Sequence, residues 1–230
     1  MPVTTPPEWW IKPRRISVVV DNPSWVFPFA ERLVEDICKD EDEAVICRSH
    51  KDIQKGAVAF YLGCTTITPA AVLSRNVLNL IVHESNLPRG RGFSPMTWLT
   101  LEGSKTIPVC LLEAANKVDS GVVFYRDEIV FQGHELIEEM REALGQKTMA
   151  LCRRLLDETV PPKGIPQEGK SSCYPRRYPE NSALNPERPL SEQFDLLRTV
   201  DNVKYPAFFD YRGHRYLLTI RKSEKNNGSA

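Results

Sequence analysis

The sequence predicts an α/β fold with a mostly parallel sheet, and three observations support it. Short apolar runs are typical of buried parallel strands, and the first of them here is also rich in β-branched residues. They fall at residues 16–20, 44–47, 58–62 and 79–83. Apolar residues at helical spacing over 25–38 separate the first two runs, and a long amphipathic helix is predicted over 134–158. Strands and helices alternating at this pitch favour a sheet with right-handed crossovers.

The remaining elements divide the chain into parts. A short helix is predicted near 69–74, a helix from Ser94-Pro95 to Gly103, and strands over 107–112 and 121–131. We therefore expect a core over residues 1–160. A linker without hydrophobic periodicity follows over 161–173, then a small extension over 174–224 with a helix near 191–198 and a β-hairpin, and a disordered tail over 225–230.

Composition narrows the class of protein. The 30 basic and 30 acidic residues balance, which argues against a large nucleic-acid surface. No run approaches the ~20 apolar residues of a membrane span and no signal peptide opens the chain, so we expect a soluble cytoplasmic protein without membrane contacts. The six cysteines form no CxxC pair, which favours reduced thiols and predicts no metal site.

The most informative segment is HESNLPRGRGFSP, residues 83–95. It places His83 at the carboxyl end of a predicted strand, where ligands bind in open α/β sheets. A lone histidine there is more often structural than catalytic. A second polar turn, VDSG, follows 36 residues later between two apolar strands and contains Asp119. A histidine and an acid at neighbouring strand ends could form a proton-handling dyad.

Together the two segments resemble the signature of folate-dependent formyltransferases over roughly residues 15–160. The resemblance implies a Rossmann-like formyltransferase core, 10-formyltetrahydrofolate as the formyl donor and no metal. It assigns His83 and Asp119 as catalytic. The donor would be bound by two loops and a turn, at Thr65, Thr66, Ile67, Ser85, Leu87, Pro88, Asn116, Lys117 and Val118.

One position departs from the family pattern. The family usually has an asparagine two residues before the histidine, whose amide helps to hold the formyl oxygen, and this chain has Ile81 there. Asn79 lies about 13 Å along the strand from His83, which is too far. Asn86 in the following turn is therefore a candidate catalytic donor, with backbone N–H groups and water as alternatives.

The sequence after residue 173 bears on the acceptor. Its YPRRYP start and YPA before a hairpin resemble the extension of sugar N-formyltransferases, closest to the type proposed for CMP-linked pseudaminic acid. The implied partner is a small-molecule, nucleotide-activated amino sugar. Arg89, Arg91, Arg176 and Arg177 could bind its anionic groups, and Trp25 and Tyr174 could stack on a base.

Other functions stay open. Methionyl-tRNA and glycinamide ribonucleotide are acceptors in other family branches, but the first branch normally has a further barrel domain and the second a glycine-rich first loop. Residues 21–25 here read DNPSW and contain no glycine. A catalytically silent binding module is a third possibility because of Ile81. The apolar C-terminal hairpin is also a candidate surface for a homodimer.

Overall fold

The computed structural model of the protein describes residues 5–223. It contains one main sheet and five helices among those residues, with two small two-stranded sheets beside them. The strands are β1 (Arg15–Val19), β2 (Glu43–Cys47), β3 (Gly56–Tyr61), β4 (Asn76–His83), β5 (Arg91–Gly92), β6 (Thr106–Glu113), β7 (Val123–Val130), β8 (Cys173–Tyr174), β9 (Ala207–Tyr211) and β10 (His214–Leu218). The helices are α1 (Phe27–Lys39), α2 (Ala70–Leu73), α3 (Pro95–Leu101), α4 (Ile137–Leu156) and α5 (Phe194–Thr199).

The main sheet has the strand order β2-β1-β3-β4-β6-β7. Its first four strands are parallel, and β6 and β7 are antiparallel to their neighbours. The predicted α/β class with a mostly parallel sheet is confirmed. The carboxyl ends of β1, β3 and β4 consequently meet at one edge, which brings the loops that follow them together.

Helices α1 and α4 cover one face of this sheet. Leu33 and Ile37 of α1 and Met140 and Leu144 of α4 are fully buried there, as an amphipathic stripe requires. The two helices approach closely at Gly145, because any Cβ at that position would collide with the Phe29 ring. The long helix predicted from the sequence is therefore the element that closes the core.

Residues after the core form the predicted extension. A small apolar cluster of Leu184, Leu197, Val200 and Ala207 holds α5 against the β9–β10 hairpin. The hairpin leaves Leu217 68% exposed, so its use as a dimer surface stays a prediction. The tail predicted over 225–230, and residue 224, lie outside the described residues.

The segment over 161–173, expected to be a linker, packs on the core. Ile165 exchanges both backbone hydrogen bonds with Val123 at 2.8 Å, as an antiparallel bridge beside β7. Further along, the Gly90 N–H donates to the Ser172 hydroxyl at 2.9 Å. This segment therefore supports the loop that follows β4. None of the helices in the described residues is long and apolar enough to cross a membrane.

Candidate active site

His83 ends β4 and is almost completely buried, at 5% exposure. Its Nε2 lies 2.9 Å from the Gly90 carbonyl oxygen. Because a carbonyl oxygen only accepts, Nε2 carries the hydrogen. This bond fixes the ring and leaves Nδ1 as the edge that faces the neighbouring loop. Nδ1 lies 3.6 Å from Asp119 Oδ2, a distance that fits a charge contact but is too long for a hydrogen bond.

Asp119 is held in place by hydrogen bonds to its backbone carbonyl oxygen and to one oxygen of its carboxylate. Oδ2 accepts a hydrogen bond from the Gly92 N–H at 2.9 Å. The residue itself has a φ of 48°, in the left-handed region that non-glycine residues seldom adopt and that costs on the order of 1–3 kcal/mol. Such strain persists only where the surroundings enforce it, so the neighbours of Asp119 are part of the site.

The Gln167 side chain restrains the backbone of Asp119 in this conformation. Its side-chain amide donates to the carbonyl oxygens of Asp119 and Gly121, at 2.8 and 2.9 Å. Its own carbonyl oxygen accepts from Arg91 Nη2 at 2.6 Å. Arg91 is buried and no described carboxylate pairs with it, so Gln167 is the side chain that connects its charge to the Asp119 loop. Arg91 therefore helps to hold the Asp119 loop in position through Gln167.

An apolar cavity of about 150 Å³ opens on one side of the His83–Asp119 pair. The loop after β3, the end of β5 with Phe93, and the loop after β6 form its rims, and Tyr61, Leu73 and Ile81 form its floor. We call it the apolar cavity; its rims are Cys64, Thr65, Thr66, Ile67, Thr68, Gly92, Phe93, Ala114, Ala115, Val118 and Asp119. Apolar walls with a few polar groups at the edge are typical of sites for planar ring systems.

The rim after β3 is ordered by Asp21. The carboxylate of Asp21 accepts the N–H groups of Thr65 at 2.9 Å and Thr66 at 3.0 Å. Burial alone would raise the pKa of Asp21, but hydrogen bonds from Asn22 and from the two threonines outweigh it, so the pKa is lowered. The ionised carboxylate is the form that these donors favour.

A second cavity, of about 260 Å³, opens on the other side of His83. We call it the histidine cavity; it is lined by Ser24, Trp25, Gly63, Thr65, Val82, His83, Glu84, Gly92, Phe93, Ser94, Pro95, Met96, Thr97, Ile137, Arg141 and Leu144. Thr65, Gly92 and Phe93 line both cavities, so the two meet beside His83. Burial raises the pKa of the Glu84 carboxyl; the nearby His83 opposes this shift and the Asp119 charge adds to it.

A third cavity, of about 220 Å³, continues from the histidine cavity toward the extension. We call it the arginine cavity, because Arg141, Arg176 and Arg177 line it. Arg141 is paired with Asp201 at 2.9 Å, whereas Arg176 and Arg177 make no ion pair with any described residue. The three cavities form one trench across the carboxyl edge of the sheet, with His83 near its middle.

Solved structures share this architecture, although no family model matches the chain. A methionyl-tRNA formyltransferase from Clostridium thermocellum superposes with a TM-score of 0.77 at 22% identity, over 93% of this chain and 95% of that one. A sugar N-formyltransferase from a Shewanella species gives 0.66 at 14% identity, over 91% and 98%. The chain has a formyltransferase fold. The expected Rossmann-like core with its C-terminal extension is thereby confirmed.

A third structure with this fold contains a folate. HypX from Aquifex aeolicus, in complex with tetrahydrofolic acid, superposes with a TM-score of 0.67 at 18% identity. The match covers 90% of this chain but only 37% of that much longer one. The TM-scores establish the fold that these proteins share with the chain.

Within the formyltransferase fold, some of the residues predicted to bind the donor line the apolar cavity and others do not. Thr65, Thr66, Ile67 and Val118 line it, together with Asp119. Other residues predicted for this role do not line it. Asn116 and Lys117 are exposed on the same loop as Val118. Ser85, Leu87 and Pro88 belong to the turn after His83 and are buried. Those three hold the turn in place, and Leu87 packs in a core cluster with Cys110 and Leu112.

Asn86 does not reach the site. Its side chain is exposed and its Oδ1 accepts from Arg126 Nη1 at 3.2 Å, on the far side of the turn. The expectation that Asn86 replaces the family asparagine is not supported by this position. Ile81 lies in the floor of the apolar cavity, so the slot itself is present with an apolar side chain in it. Asn79 is engaged with the Tyr61 hydroxyl at 3.1 Å.

The residues predicted to bind the acceptor divide in the same way. Trp25 lines the histidine cavity, and Arg176 and Arg177 line the arginine cavity. Arg89 is exposed and lines none of the three cavities, and Arg91 is buried on Gln167. Tyr174 also lines none of the three cavities.

Tyr174 has a structural role. Its ring stacks on Trp98 with centroids 6.1 Å apart, and its hydroxyl donates to Glu102 at 2.7 Å. Burial and the Glu102 hydrogen bond raise the pKa of Tyr174 to about 12. Through β8 it pairs with β5, which fixes Gly92 beside Asp119. A Cβ at Gly92 would collide with the Tyr174 carbonyl oxygen, so this contact requires glycine.

Sequence reasoning missed Gln167, Glu84 and Arg141. Gln167 lies in a stretch with no periodicity, where nothing in the sequence distinguishes it. Arg141 is one charge among many on α4, although its helix was predicted. Glu84 carried a signal, because it follows His83 directly within the recognised motif. Among residues 5–223, no three His, Cys, Asp or Glu side chains come together as a metal site would need.

Proposed function

We propose that the protein is an N-formyltransferase that moves a formyl group from 10-formyltetrahydrofolate to the amine of a nucleotide-activated amino sugar. The observation on which this rests is that Asp119 lines the apolar cavity and His83, 3.6 Å from it, lines the adjoining histidine cavity. A group-transfer enzyme needs such an arrangement, because donor and acceptor must approach the same catalytic group from two sides.

The donor fits the apolar cavity. Its planar ring system would lie between Ile81 and the rim residues Thr65 and Val118, and HypX with bound tetrahydrofolate shows that a protein of this fold can bind a folate. The formyl-bearing nitrogen would then lie near Asp119, where the two cavities join. Asn116, Lys117, Ser85, Leu87 and Pro88 would act through the loop shape and not by contact.

The chemistry follows from the His83 geometry. The His83 Nε2–H donates its hydrogen bond to the Gly90 carbonyl oxygen. Only Nδ1 is therefore free to face the reacting carbonyl. In the imidazolium form Nδ1–H can donate to the oxyanion that develops as the amine attacks the formyl carbon. Asp119 Oδ2, at 3.6 Å from Nδ1, would be the counter-ion of that form. No covalent intermediate on the protein is needed for this transfer.

The acceptor would occupy the histidine and arginine cavities. Arg176 and Arg177, which have no described carboxylate partner, are suited to phosphate or carboxylate groups, and Trp25 offers an aromatic wall. Both the sugar N-formyltransferase from Shewanella and the methionyl-tRNA formyltransferase share the fold over nearly their whole length, so the choice of a sugar acceptor rests on these arginines and on the resemblance of the C-terminal extension. We propose a CMP-linked amino sugar of the pseudaminic acid type within this class, and a cytoplasmic location where such sugars are activated.

A panel of acceptors tests the proposal. Purified protein and 10-formyltetrahydrofolate are combined separately with nucleotide-linked amino sugars, methionyl-tRNA and glycinamide ribonucleotide, and release of tetrahydrofolate is followed. We expect turnover with an amino sugar and a loss of roughly 10²- to 10³-fold in kcat for His83→Ala and Asp119→Ala. The exposed residues His214 and Asp52 provide matched alanine controls that should keep full activity.

Other outcomes would redirect the assignment. Turnover with methionyl-tRNA or glycinamide ribonucleotide alone would keep the formyl transfer and replace the acceptor. Absence of turnover with every acceptor would favour a catalytically silent binding module, for which Ile81 in the asparagine slot is the structural reason.

A further inference from the structure

Glu84 is the side chain in the histidine cavity whose bonding is least explained by the fold. It follows His83 at the end of β4, is half-buried, and lines the cavity. Within residues 5–223 its carboxyl forms no salt bridge and no hydrogen bond to another residue's side chain. A half-buried carboxylate is stabilised by a cation, because losing water without gaining a counter-charge is costly. The open cavity in front of it is where a ligand could supply one.

The two carboxyl groups beside His83 occupy different cavities. Asp119 lines the apolar cavity and its Oδ2 is committed to the Gly92 N–H. Glu84 lines the histidine cavity, and its carboxyl is hydrogen-bonded by its own backbone N–H and by no other residue described. In paired-carboxyl sites, groups in different environments usually divide the acid and base roles between them.

The charged groups facing Glu84 are few. They are His83 on its own strand, Asp119 on the loop after β6, and Arg141 of α4 across the cavity. Arg141 is already neutralised by Asp201, at 2.9 Å. Among the described residues, the cavity therefore holds one carboxyl without a partner cation, which is the complement of a ligand ammonium group.

We propose that Glu84 binds the ammonium group of the acceptor and accepts its proton, which makes the amine nucleophilic. This inference rests on the proposed formyl transfer and assigns its base. A site built this way selects an acceptor whose primary amine reaches into the histidine cavity.

Glu84, His83 and Asp119 are sufficient to balance the proton transfers. One ammonium N–H bond breaks and its proton moves to Glu84. The freed nitrogen pair forms the new C–N bond to the formyl carbon, and the carbonyl electrons move to the oxygen facing His83 Nδ1. The C–N bond to the folate then breaks, and its electrons take up the second amine proton, relayed by Asp119. The products are the formamide, tetrahydrofolate and a proton on Glu84, which passes to solvent.

Glu84→Gln removes the base and keeps the shape. At pH 7 we expect kcat/KM for the amino sugar to fall on the order of 10²- to 10⁴-fold, with the folate dissociation constant unchanged. The rate of the variant should rise roughly tenfold per pH unit as the free amine becomes available, while the wild-type rate stays level. Glu35→Gln, an exposed glutamate of α1, is the matched control.

Each outcome decides between the inference and the function. If the wild type turns over and Glu84→Gln has a kcat/KM within twofold of the wild-type value, the proposed role of Glu84 is wrong. The proposed formyl transfer is not affected by that result. No wild-type turnover with any amine would overturn both. Should Glu84→Gln fail to fold, Glu84→Asp replaces it: a lower rate with a level pH profile supports the base role, and an unchanged rate overturns it.

Discussion

The Gln167 side chain holds the backbone around Asp119, and removing it tests the proposed role of Asp119. Gln167→Ala deletes two neutral hydrogen bonds, to the Asp119 and Gly121 carbonyl oxygens, and one from the Arg91 guanidinium. Neutral bonds contribute about 0.5–1.5 kcal/mol each and a bond to a charged group about 1.5–3 kcal/mol. Since the three share one side chain, we expect a combined loss of about 3 kcal/mol.

That loss has two measurable consequences. For a protein of this size about 1 kcal/mol lowers Tm by about 2–4 °C, so Gln167→Ala should lower Tm by about 6–12 °C. Asp119, freed from its left-handed backbone conformation, should also shift relative to His83. A displacement of about 1 Å at a reacting centre can cost about 10²-fold in kcat. Thermal unfolding followed by circular dichroism and steady-state kinetics measure the two effects.

Gln146→Ala provides the matched control. Gln146 is exposed on α4 and makes one hydrogen bond, to Glu142 one turn earlier. Such helix-surface pairs contribute about 0.2–0.5 kcal/mol, so Tm should hardly change. If Gln167→Ala matched this control in Tm and kept the wild-type kcat, Gln167 would not hold Asp119 and our reading of the strained loop would be wrong.

Two further predictions concern the ends of the trench. Asp21→Asn should weaken folate binding about tenfold at pH 7, because two amides lose their charged acceptor. Since the folded-state pKa of Asp21 is lowered, the stability difference between wild type and variant should be present above about pH 4 and vanish as the pH falls through that lowered pKa; equal stabilities at pH 7 would count against it. Arg177→Ala should raise the acceptor KM about tenfold without changing folate affinity, whereas Arg188→Ala on the exposed extension should change neither.

Much of the fold could be predicted because its signals are local. The run before His83 is apolar and β-branched over several residues, so a buried strand ending in a histidine was the natural interpretation. The turn containing Asp119 lies between two such runs. From the sequence these two residues could form a dyad, and in the structure they lie 3.6 Å apart.

The parts that could not be predicted depend on contacts between distant residues. Asn86 was expected at the formyl oxygen, but Arg126, 40 residues away, binds both its side chain and the Leu87 carbonyl oxygen and turns it outward. Gln167 acts from a stretch that looked like a linker, because a side-chain amide has no sequence pattern of its own. Arg91 looked like a substrate ligand and is instead committed to Gln167.

The most direct test of the central claim follows the formyl carbon itself. 10-Formyltetrahydrofolate labelled with ¹³C in the formyl group is incubated with the protein and a CMP-linked amino sugar, and the carbon resonance is followed by NMR. The account predicts that the label moves to a formamide on the sugar, with one tetrahydrofolate formed for each formamide, and that His83→Ala stops this transfer. A label that stays on the folate, or appears only as formate, would contradict it.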